Sequence, residues 1–539
     1  MTLIALVPTA FQIALLTASE AALAPDRVWL GFTQYDQPYY HASARELFER
    51  GNGLFHANPC ALGADAPRIY THFVTVLLGW SQRLSGLEPH HIDLAGRLIF
   101  GPLMLLLAVA LMGQWIRHRP MAWGFAIAVA WGGGLGWLVG LGRAILTPFV
   151  GAVPPRDGWP FFWLWHDCWR DALGGHGGWG TSLARQVGSL PECLYHVLAL
   201  GALLALARGR WAWAVVLTAL TCWAHPFTGL FIGLVTPLFL ASERLGRRRL
   251  PWIALAASLF ILALFLLYNL AWLPRDAGHR EVAERMRGLS SGLALWMILP
   301  AYGLFVFLPL LGLTHMRGFA RALRFRRARL LSVWLAVVLG LVFNDHLLPL
   351  VGVRPFVPLH FTRGYLMLPL VILSGRALTV WARRRQWTSR HLGFVALAIG
   401  ALSVPDMVET LRWPLRSGHV LTMSRGEREL LDRLDDLPEQ HGLAVVGNRG
   451  LLPLWLTVYT PHTGLRSHLH NTPNKQMRDA LQRNLLDGNA RWPDLAAVGI
   501  DGIIVAQQQA PRVAQQLNAP FRTVIETERW QVWLVESKP

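Results

Sequence analysis

Long apolar stretches recur through the first 408 residues of the chain, separated by short polar or basic segments. The stretch from Leu250 to Leu273 is as long as the roughly 20 helical residues that a bilayer core requires. Soluble core helices seldom stay apolar on every side, so the pattern predicts transmembrane helices. We predict about eleven spans, near residues 2–18, 94–116, 120–141, 189–207, 211–224, 226–242, 250–273, 292–314, 330–350, 364–382 and 391–408.

Beyond Arg412 the pattern changes to short elements typical of a water-soluble domain. Residues 427–437 predict an amphipathic helix, 443–446 and 502–505 predict buried strands, and 531–535 predict a closing strand. Alternating strands and helices favour a small α/β domain with a partly parallel sheet. The predicted fold class is therefore a polytopic α-helical membrane protein with a C-terminal soluble α/β domain, divided into 1–408, with external loops 19–93 and 142–188, and 409–539.

Composition supports the membrane assignment, because 53% of the residues are hydrophobic and only 15% are charged, too few to cover a soluble protein. The net charge of +18 does not indicate nucleic acid, since the arginines occur in short clusters between spans rather than in one stripe. The clusters are Arg117 and Arg119; Arg208 and Arg210; Arg244 and Arg247 to Arg249; Arg317, Arg321, Arg324, Arg326, Arg327 and Arg329; and Arg383 to Arg385 with Arg390.

These clusters follow every second span, as the positive-inside rule expects of cytoplasmic loops. The N-terminus is then cytoplasmic, and an odd number of spans places the tail outside. We interpret residues 1–17 as an uncleaved first span rather than a signal peptide, because they lack a basic start. The external segments are 19–93, 142–188, a tight turn at His225-Pro226, 274–291, 351–363 and the tail. Residues 69–84 predict an amphipathic helix that lies in the membrane interface. The sequence leaves undecided whether Cys60 and Cys168 form a disulfide.

The first external loop carries an acidic residue shortly after the first span, within Gly31-Phe32-Thr33-Gln34-Tyr35-Asp36-Gln37-Pro38-Tyr39-Tyr40-His41. This arrangement resembles the GT-C glycosyltransferases, integral membrane enzymes that take a sugar from a polyprenyl-phosphate carrier. The resemblance implies that Asp36 is the general base, which removes the proton of an acceptor hydroxyl. The alternative is that Asp36 caps a helix that begins near Pro38. The family often has an adjacent acidic pair here, whereas this chain has Asp36-Gln37, which weakens a metal proposal.

Other candidates lie in later external segments. Some members of the family use a second carboxylate in the next large loop, and Asp167 is our candidate for that role. The alternative is that Asp167 is a solvated or salt-bridged loop residue. Arginines at the outer face are candidates for binding the phosphate of the lipid carrier. The alternative is that their side chains extend toward lipid headgroups. These arginines are Arg185, Arg354 and Arg363.

Two further sites interrupt apolar sequence. His225 is either functional or an interfacial residue at the outer turn, and Asp345 with His346 forms an ionisable pair near the end of a span, either structural or part of the site. In the tail, residues 459–467, 470–474 and 495–505 resemble the extracytoplasmic domain of several bacterial GT-C-like proteins.

The chain has no phosphate loop or nucleotide-binding glycine motif, so the energy of transfer must arrive with the donor. The resemblance implies a bacterial inner-membrane enzyme that transfers a hexose or pentose from a polyprenyl-phosphate-linked donor to an extracytoplasmic acceptor. Its partners are that donor and membrane lipids, with no nucleic acid. No cofactor is identified, and a divalent metal stays open. Rival interpretations are a transporter or flippase of an amphipathic lipid, and a non-catalytic membrane scaffold.

Overall fold

The fold is known from a computed structural model of the chain. It describes residues 2–21, 23–63, 65–116, 118–131, 137–138, 141–142, 145, 183, 187–246, 251–288, 302–313, 323–352, 357–362, 364–402, 422–447 and 451–535.

The chain divides into two compact units, each built from separated segments. The helical unit comprises Met1–Ala14, Gly96–Leu267 and Leu289–Trp413, and the mixed unit comprises Leu15–Ala95, Tyr268–Gly288 and Pro414–Pro539. The sequence division at residue 408 placed the loop 19–93 with the transmembrane helices, whereas here that loop packs with the tail. The three segments of the mixed unit match three of the six segments that the arginine pattern places outside the membrane: 19–93, 274–291 and the tail.

Apolar helices make up the helical unit, and every predicted span overlaps one of them. Four described helices are long and apolar enough to cross a membrane, and a bent pair makes a fifth. The number eleven stays a prediction, because parts of 120–141 and 292–314 lie outside the described residues. The helices are α1 (Thr2–Ala21), α4 (Pro89–Met112), α5 (Arg119–Trp131), α6 (Leu190–Arg208), α7 (Trp211–Ala224), α8 (Pro226–Ser242), α9 (Trp252–Leu267), α11 (Leu304–Leu313), α12 (Arg326–Val342), α13 (Asn344–Leu347), α14 (Leu359–Thr362), α15 (Met367–Arg384) and α16 (Ser389–Leu402).

Short connections set the packing of the middle helices. Helix α6 ends at Gly209, whose φ of +74° is a left-handed conformation that glycine adopts at little cost. Helix α7 packs on α6 and α8, and α9 packs on α7 and α8. The ninth predicted span is not one straight helix, since α12 and the segment Asn344–Leu350 meet at 66°.

A buried ion pair joins α8 to α12. The Glu243 carboxylate lies 2.6 Å from Nη2 of Arg329, and both side chains are 1% exposed. The backbone carbonyls of Leu323 and Arg324 accept two further hydrogen bonds from Arg329, each of 2.9 Å. Nε of Arg326, whose side chain is 24% exposed, lies 3.6 Å from the other carboxylate oxygen of Glu243. Because the Arg329 charge does not reach solvent, it depends on Glu243 for its electrostatic compensation.

The mixed unit contains a five-stranded sheet in the order β4-β3-β5-β7-β6. Strand β3 is parallel to β4 and β5, and β7 is antiparallel to β5 and β6. The pairing of β6 with β7 is antiparallel because a tight turn joins these two consecutive strands. The elements of the tail are β2 (Thr422–Ser424), α17 (Arg425–Asp435), β3 (Gly442–Val446), α18 (Leu452–Tyr459), β4 (Thr463–Gly464), α19 (Lys475–Asp487), α20 (Trp492–Ala496), β5 (Gly502–Ala506), α21 (Ala510–Leu517), β6 (Phe521–Glu526) and β7 (Trp530–Val535). Strands β3, β5 and β7 coincide with the three that the sequence predicts, whereas β2, β4 and β6 were not predicted.

The first loop supplies elements of its own to this unit. They are β1 (Arg27–Trp29), α2 (Asp36–Glu49) and α3 (Phe73–Ser85), while α10 (Ala277–Gly288) comes from the segment Tyr268–Gly288. Strand β1 pairs antiparallel with β2, with Val28 opposite Met423. Phe32 is fully buried and stacks on Trp455 of α18, with ring centroids 5.9 Å apart. The loop that carries Asp36 and the tail thus share one hydrophobic core.

Candidate functional site

Asp36 is the first residue of α2, so its carboxylate lies at the positive end of the helix dipole. The N-cap residue is Tyr35, which makes no side-chain capping bond. The predicted cap by Asp36 of a helix that begins near Pro38 is therefore wrong, because the helix begins two residues earlier. The Asp36 side chain is 51% exposed, which leaves its carboxylate accessible to a substrate hydroxyl.

A buried histidine of the tail faces this carboxylate. Nε2 of His468 lies 3.3 Å from Oδ1 of Asp36, and the His468 side chain is 0% exposed. The backbone N–H groups of His470 and Asn471 both donate to Nδ1 of His468, at 3.2 Å. Because Nδ1 accepts these bonds, the proton of the neutral ring is on Nε2, the nitrogen that faces Asp36.

Two tyrosines of the first loop hold the His468 ring. The ring centroids of Tyr35 and Tyr39 lie 4.6 Å and 5.1 Å from that of His468. The Tyr35 hydroxyl accepts a 2.9 Å bond from the backbone N–H of Leu469. Burial raises the pKa of Tyr35 to about 12 and raises the pKa of Tyr39 well above its ordinary value. Both side chains are therefore neutral phenols that position the ring rather than bases.

Gln37 explains why the site lacks a second acidic residue beside Asp36. Its Oε1 accepts bonds of 2.7 Å and 2.8 Å from the backbone N–H groups of Thr33 and Gln34. Its Nε2 donates a 2.8 Å bond to Oδ2 of Asp93, whose side chain is fully buried. The other carboxylate oxygen, Oδ1 of Asp93, lies 3.7 Å from Nε2 of His41. A glutamate at position 37 would bring a second carboxylate against Asp93, whereas the amide is both donor and acceptor.

Charged residues near Asp36 are arranged in pairs. Arg285 of α10 donates to Glu281 at 3.0 Å and to the backbone carbonyl of Thr472 at 3.0 Å. Arg466 lies 3.0 Å from Asp479, which also pairs with Lys475. The three cations share two carboxylates, Glu281 and Asp479, and these contacts stabilise the loop 465–474 that carries His468.

Four other predicted site residues lie outside the part of the chain that the structure describes. Asp167, Arg185, Arg354 and Arg363 lie outside the described residues, so their convergence with Asp36 stays a prediction. Cys168 also lies outside them, while Cys60 is buried. Among the described residues, no three His, Cys, Asp or Glu side chains are arranged to hold a metal ion.

Three predicted site residues of the helical unit are described by the structure: His225, Asp345 and His346. His225 connects α7 to α8 in an extended conformation, and its Nδ1 accepts a 3.3 Å bond from the backbone N–H of Thr228 at the start of α8. Its ring stacks on Tyr195 at 4.2 Å. Oδ1 of Asp345 lies 3.8 Å from Nε2 of His346, whose side chain is 61% exposed. His225 thus caps a helix, and the Asp345–His346 pair lies at the bend after α12.

Sequence reasoning missed His468. The residue stands in a loop segment rich in His, Asn, Thr and Pro, residues 466–474. Two histidines separated by one residue, His468 and His470, were the available signal. Without the fold, nothing linked that segment to the first loop.

Two other buried histidines make the mixed unit sensitive to acid. His56 and His462 are each 1% exposed, and burial lowers their pKa values to about 3 and about 4. The unfolded chain binds their protons near pH 6.5, so stability is full above that pH and is lost as the pH falls toward 4. At pH 5 we expect each histidine to cost about 2 kcal/mol.

Amide hydrogen exchange of β3 and β5 in the intact protein, compared between pH 7 and pH 5 after correction for intrinsic rates, measures this loss. His462→Gln should reduce the pH dependence by one histidine's share, because glutamine does not titrate. The same pH dependence in the variant and the parent would contradict the assignment.

Comparison with known proteins identifies no family. No protein-family model matches the chain, and no curated protein matches it. Among solved structures, the chain is similar to a cryo-EM structure of the arabinofuranosyltransferase AftD from mycobacteria, with 17% sequence identity and a TM-score of 0.46. The similarity covers 99% of this chain and 41% of the AftD chain. We infer nothing about function from a likeness at this TM-score.

Proposed function

We propose that this protein is a membrane glycosyltransferase of the GT-C type, which transfers a sugar from a polyprenyl-phosphate-linked donor to an acceptor outside the cytoplasm. The observation that carries the proposal is the Asp36 carboxylate, half exposed at the start of α2 and faced at 3.3 Å by the buried His468. A general base needs this combination, since it must reach a substrate proton while its own position is defined.

In the proposed reaction the acceptor hydroxyl donates its proton to Asp36 as its oxygen bonds to the anomeric carbon. The bond from that carbon to the phosphate oxygen breaks, and the lipid phosphate leaves with the electron pair. Inversion at the anomeric carbon requires one such base, in accord with the chain's single acidic residue at positions 36 and 37. We assign the departing phosphate to Arg185, Arg354 and Arg363, and a second carboxylate role to Asp167.

The predicted topology supports the placement of the reaction outside the cytoplasm. The arginine clusters place 19–93, 274–291 and the tail on one side of the membrane, and segments from all three form the mixed unit that contains Asp36. Segments on opposite sides of a bilayer could not share one core. The agreement between charge pattern and packing therefore supports a tail on the outer side of the membrane, as the proposed reaction requires.

The proposal is tested with the full chain in membranes or proteoliposomes that contain a polyprenyl-phosphate sugar labelled in the sugar, in a panel of hexose and pentose donors. We expect the label to leave the lipid and to appear in a water-soluble or glycan product. Labelled donor that moves between leaflets intact would replace the proposal with lipid transport. If the labelled donor is neither cleaved nor moved between leaflets, the result would favour a non-catalytic scaffold.

A further inference from the structure

The contact between the tail and Asp36 raises the question of what the tail contributes to the reaction. His468 belongs to the loop between β4 and α19, far along the chain from Asp36, yet it is completely buried against the first loop. Its backbone N–H donates to the Thr472 hydroxyl at 2.9 Å, and that hydroxyl donates back to the His468 carbonyl at 2.6 Å. The loop therefore presents the imidazole in a defined orientation.

The two nitrogens of this ring have different tasks. Nδ1 accepts two backbone N–H bonds of its own loop, and Nε2 faces the Asp36 carboxylate. With its proton on Nε2, the neutral ring presents an N–H toward Asp36 and has no acceptor on that side. The 3.3 Å contact does not have the geometry of a hydrogen bond, and Nε2 is a buried nitrogen without another partner. Hydrogen bonds of catalytic groups often become aligned only when the substrate binds. His468 therefore cannot take the proton of an acceptor hydroxyl at Nε2.

We infer that His468 is a positioning residue for the proposed transfer: its Nε2–H orients the Asp36 carboxylate, and the tail is thereby a working part of the active site. This inference rests on the proposed function. The neighbouring groups agree with an orienting role, since Tyr35 and Tyr39 pack on the ring from α2 and its N-terminus. Arg285 of α10 holds the same loop through the Thr472 carbonyl at 3.0 Å.

Two substitutions separate the tasks of the two nitrogens. In His468→Asn the amide oxygen replaces Nδ1 as acceptor for the loop, but no donor reaches Asp36. In His468→Gln the amide nitrogen reaches toward the position of Nε2, but the acceptor for the loop is lost. We expect the asparagine variant to keep the loop hydrogen bonds and to lose only the packing of the ring against Tyr35 and Tyr39. Its kcat should fall on the order of 100-fold, with KM unchanged.

The glutamine variant should show the opposite balance, with lower thermal stability and kcat per folded molecule within about tenfold of the parent. His462→Gln is the matched control, because His462 is another buried tail histidine whose Nδ1 accepts a backbone N–H, from His441 at 3.1 Å, without a contact to Asp36. We expect that variant to lose stability and to keep kcat.

Parent-like kcat in His468→Asn, together with an inactive Asp36→Asn, would overturn the role of His468 and leave the proposed function intact. A loss of kcat that follows thermal stability in both His468 variants would also overturn it, since that is the behaviour of a purely structural residue. Full activity in Asp36→Asn would instead refute the base on which the inference rests.

Discussion

Asp36→Asn should lower the rate of sugar transfer by about 10²- to 10⁴-fold, the usual contribution of a general base. Asparagine keeps the size of the side chain and its contact distance to His468, but its amide cannot accept the proton of the attacking hydroxyl. The loss should appear in kcat, because the proton moves only in the transition state. The measurement is release of labelled sugar from the lipid donor at saturating acceptor.

Folding should be nearly unchanged in this variant. The carboxylate contributes through the helix dipole, an interaction of about 0.3–1 kcal/mol at an exposed first turn. Asp65→Asn is the matched control, because Asp65 is an exposed aspartate of the same loop, and we expect it to keep full activity. An Asp36→Asn protein that transfers sugar at the parent rate would remove Asp36 from the mechanism.

The second large effect is expected in the helical unit, on stability rather than on chemistry. Glu243→Gln should destabilise the protein by about 3–5 kcal/mol, because it leaves the Arg329 charge buried without its counterion. The two backbone carbonyls that Arg329 also contacts favour the lower end of that range. Denaturant unfolding of the purified protein in detergent micelles, followed by tryptophan fluorescence, measures the change.

A double variant tests the interpretation. Glu243→Leu with Arg329→Met removes both buried charges and leaves only Arg326, which is 24% exposed and therefore solvated. The double variant should be less destabilised than Glu243→Gln alone. Glu429→Gln is the control, since Glu429 and Arg433 form a 2.7 Å pair that is about half exposed. That surface pair should contribute less than about 0.5 kcal/mol. Equal losses in the single and double variants would show that packing, rather than charge compensation, explains the effect.

Some features of the candidate site could be predicted from the sequence and others could not. Asp36 was recognisable because it follows the first span and begins an aromatic-rich segment, which is local information. The role of Gln37 was not recognisable, because its partner Asp93 is brought to it only by packing. His225 was correctly assigned to a turn, while its task as a helix cap depends on the Thr228 N–H.

The sequence by itself determined where the apolar helices lie and where three of the tail strands, β3, β5 and β7, run. Those features follow from periodicity and hydrophobicity over neighbouring residues, which local physics controls. Only the tertiary structure decided that the first loop and the tail form one unit, joined by the pairing of β1 with β2 and by Arg27–Thr422 contacts across 395 residues. Such contacts depend on the complementarity of distant surfaces, which no local pattern records, and they place His468 beside Asp36.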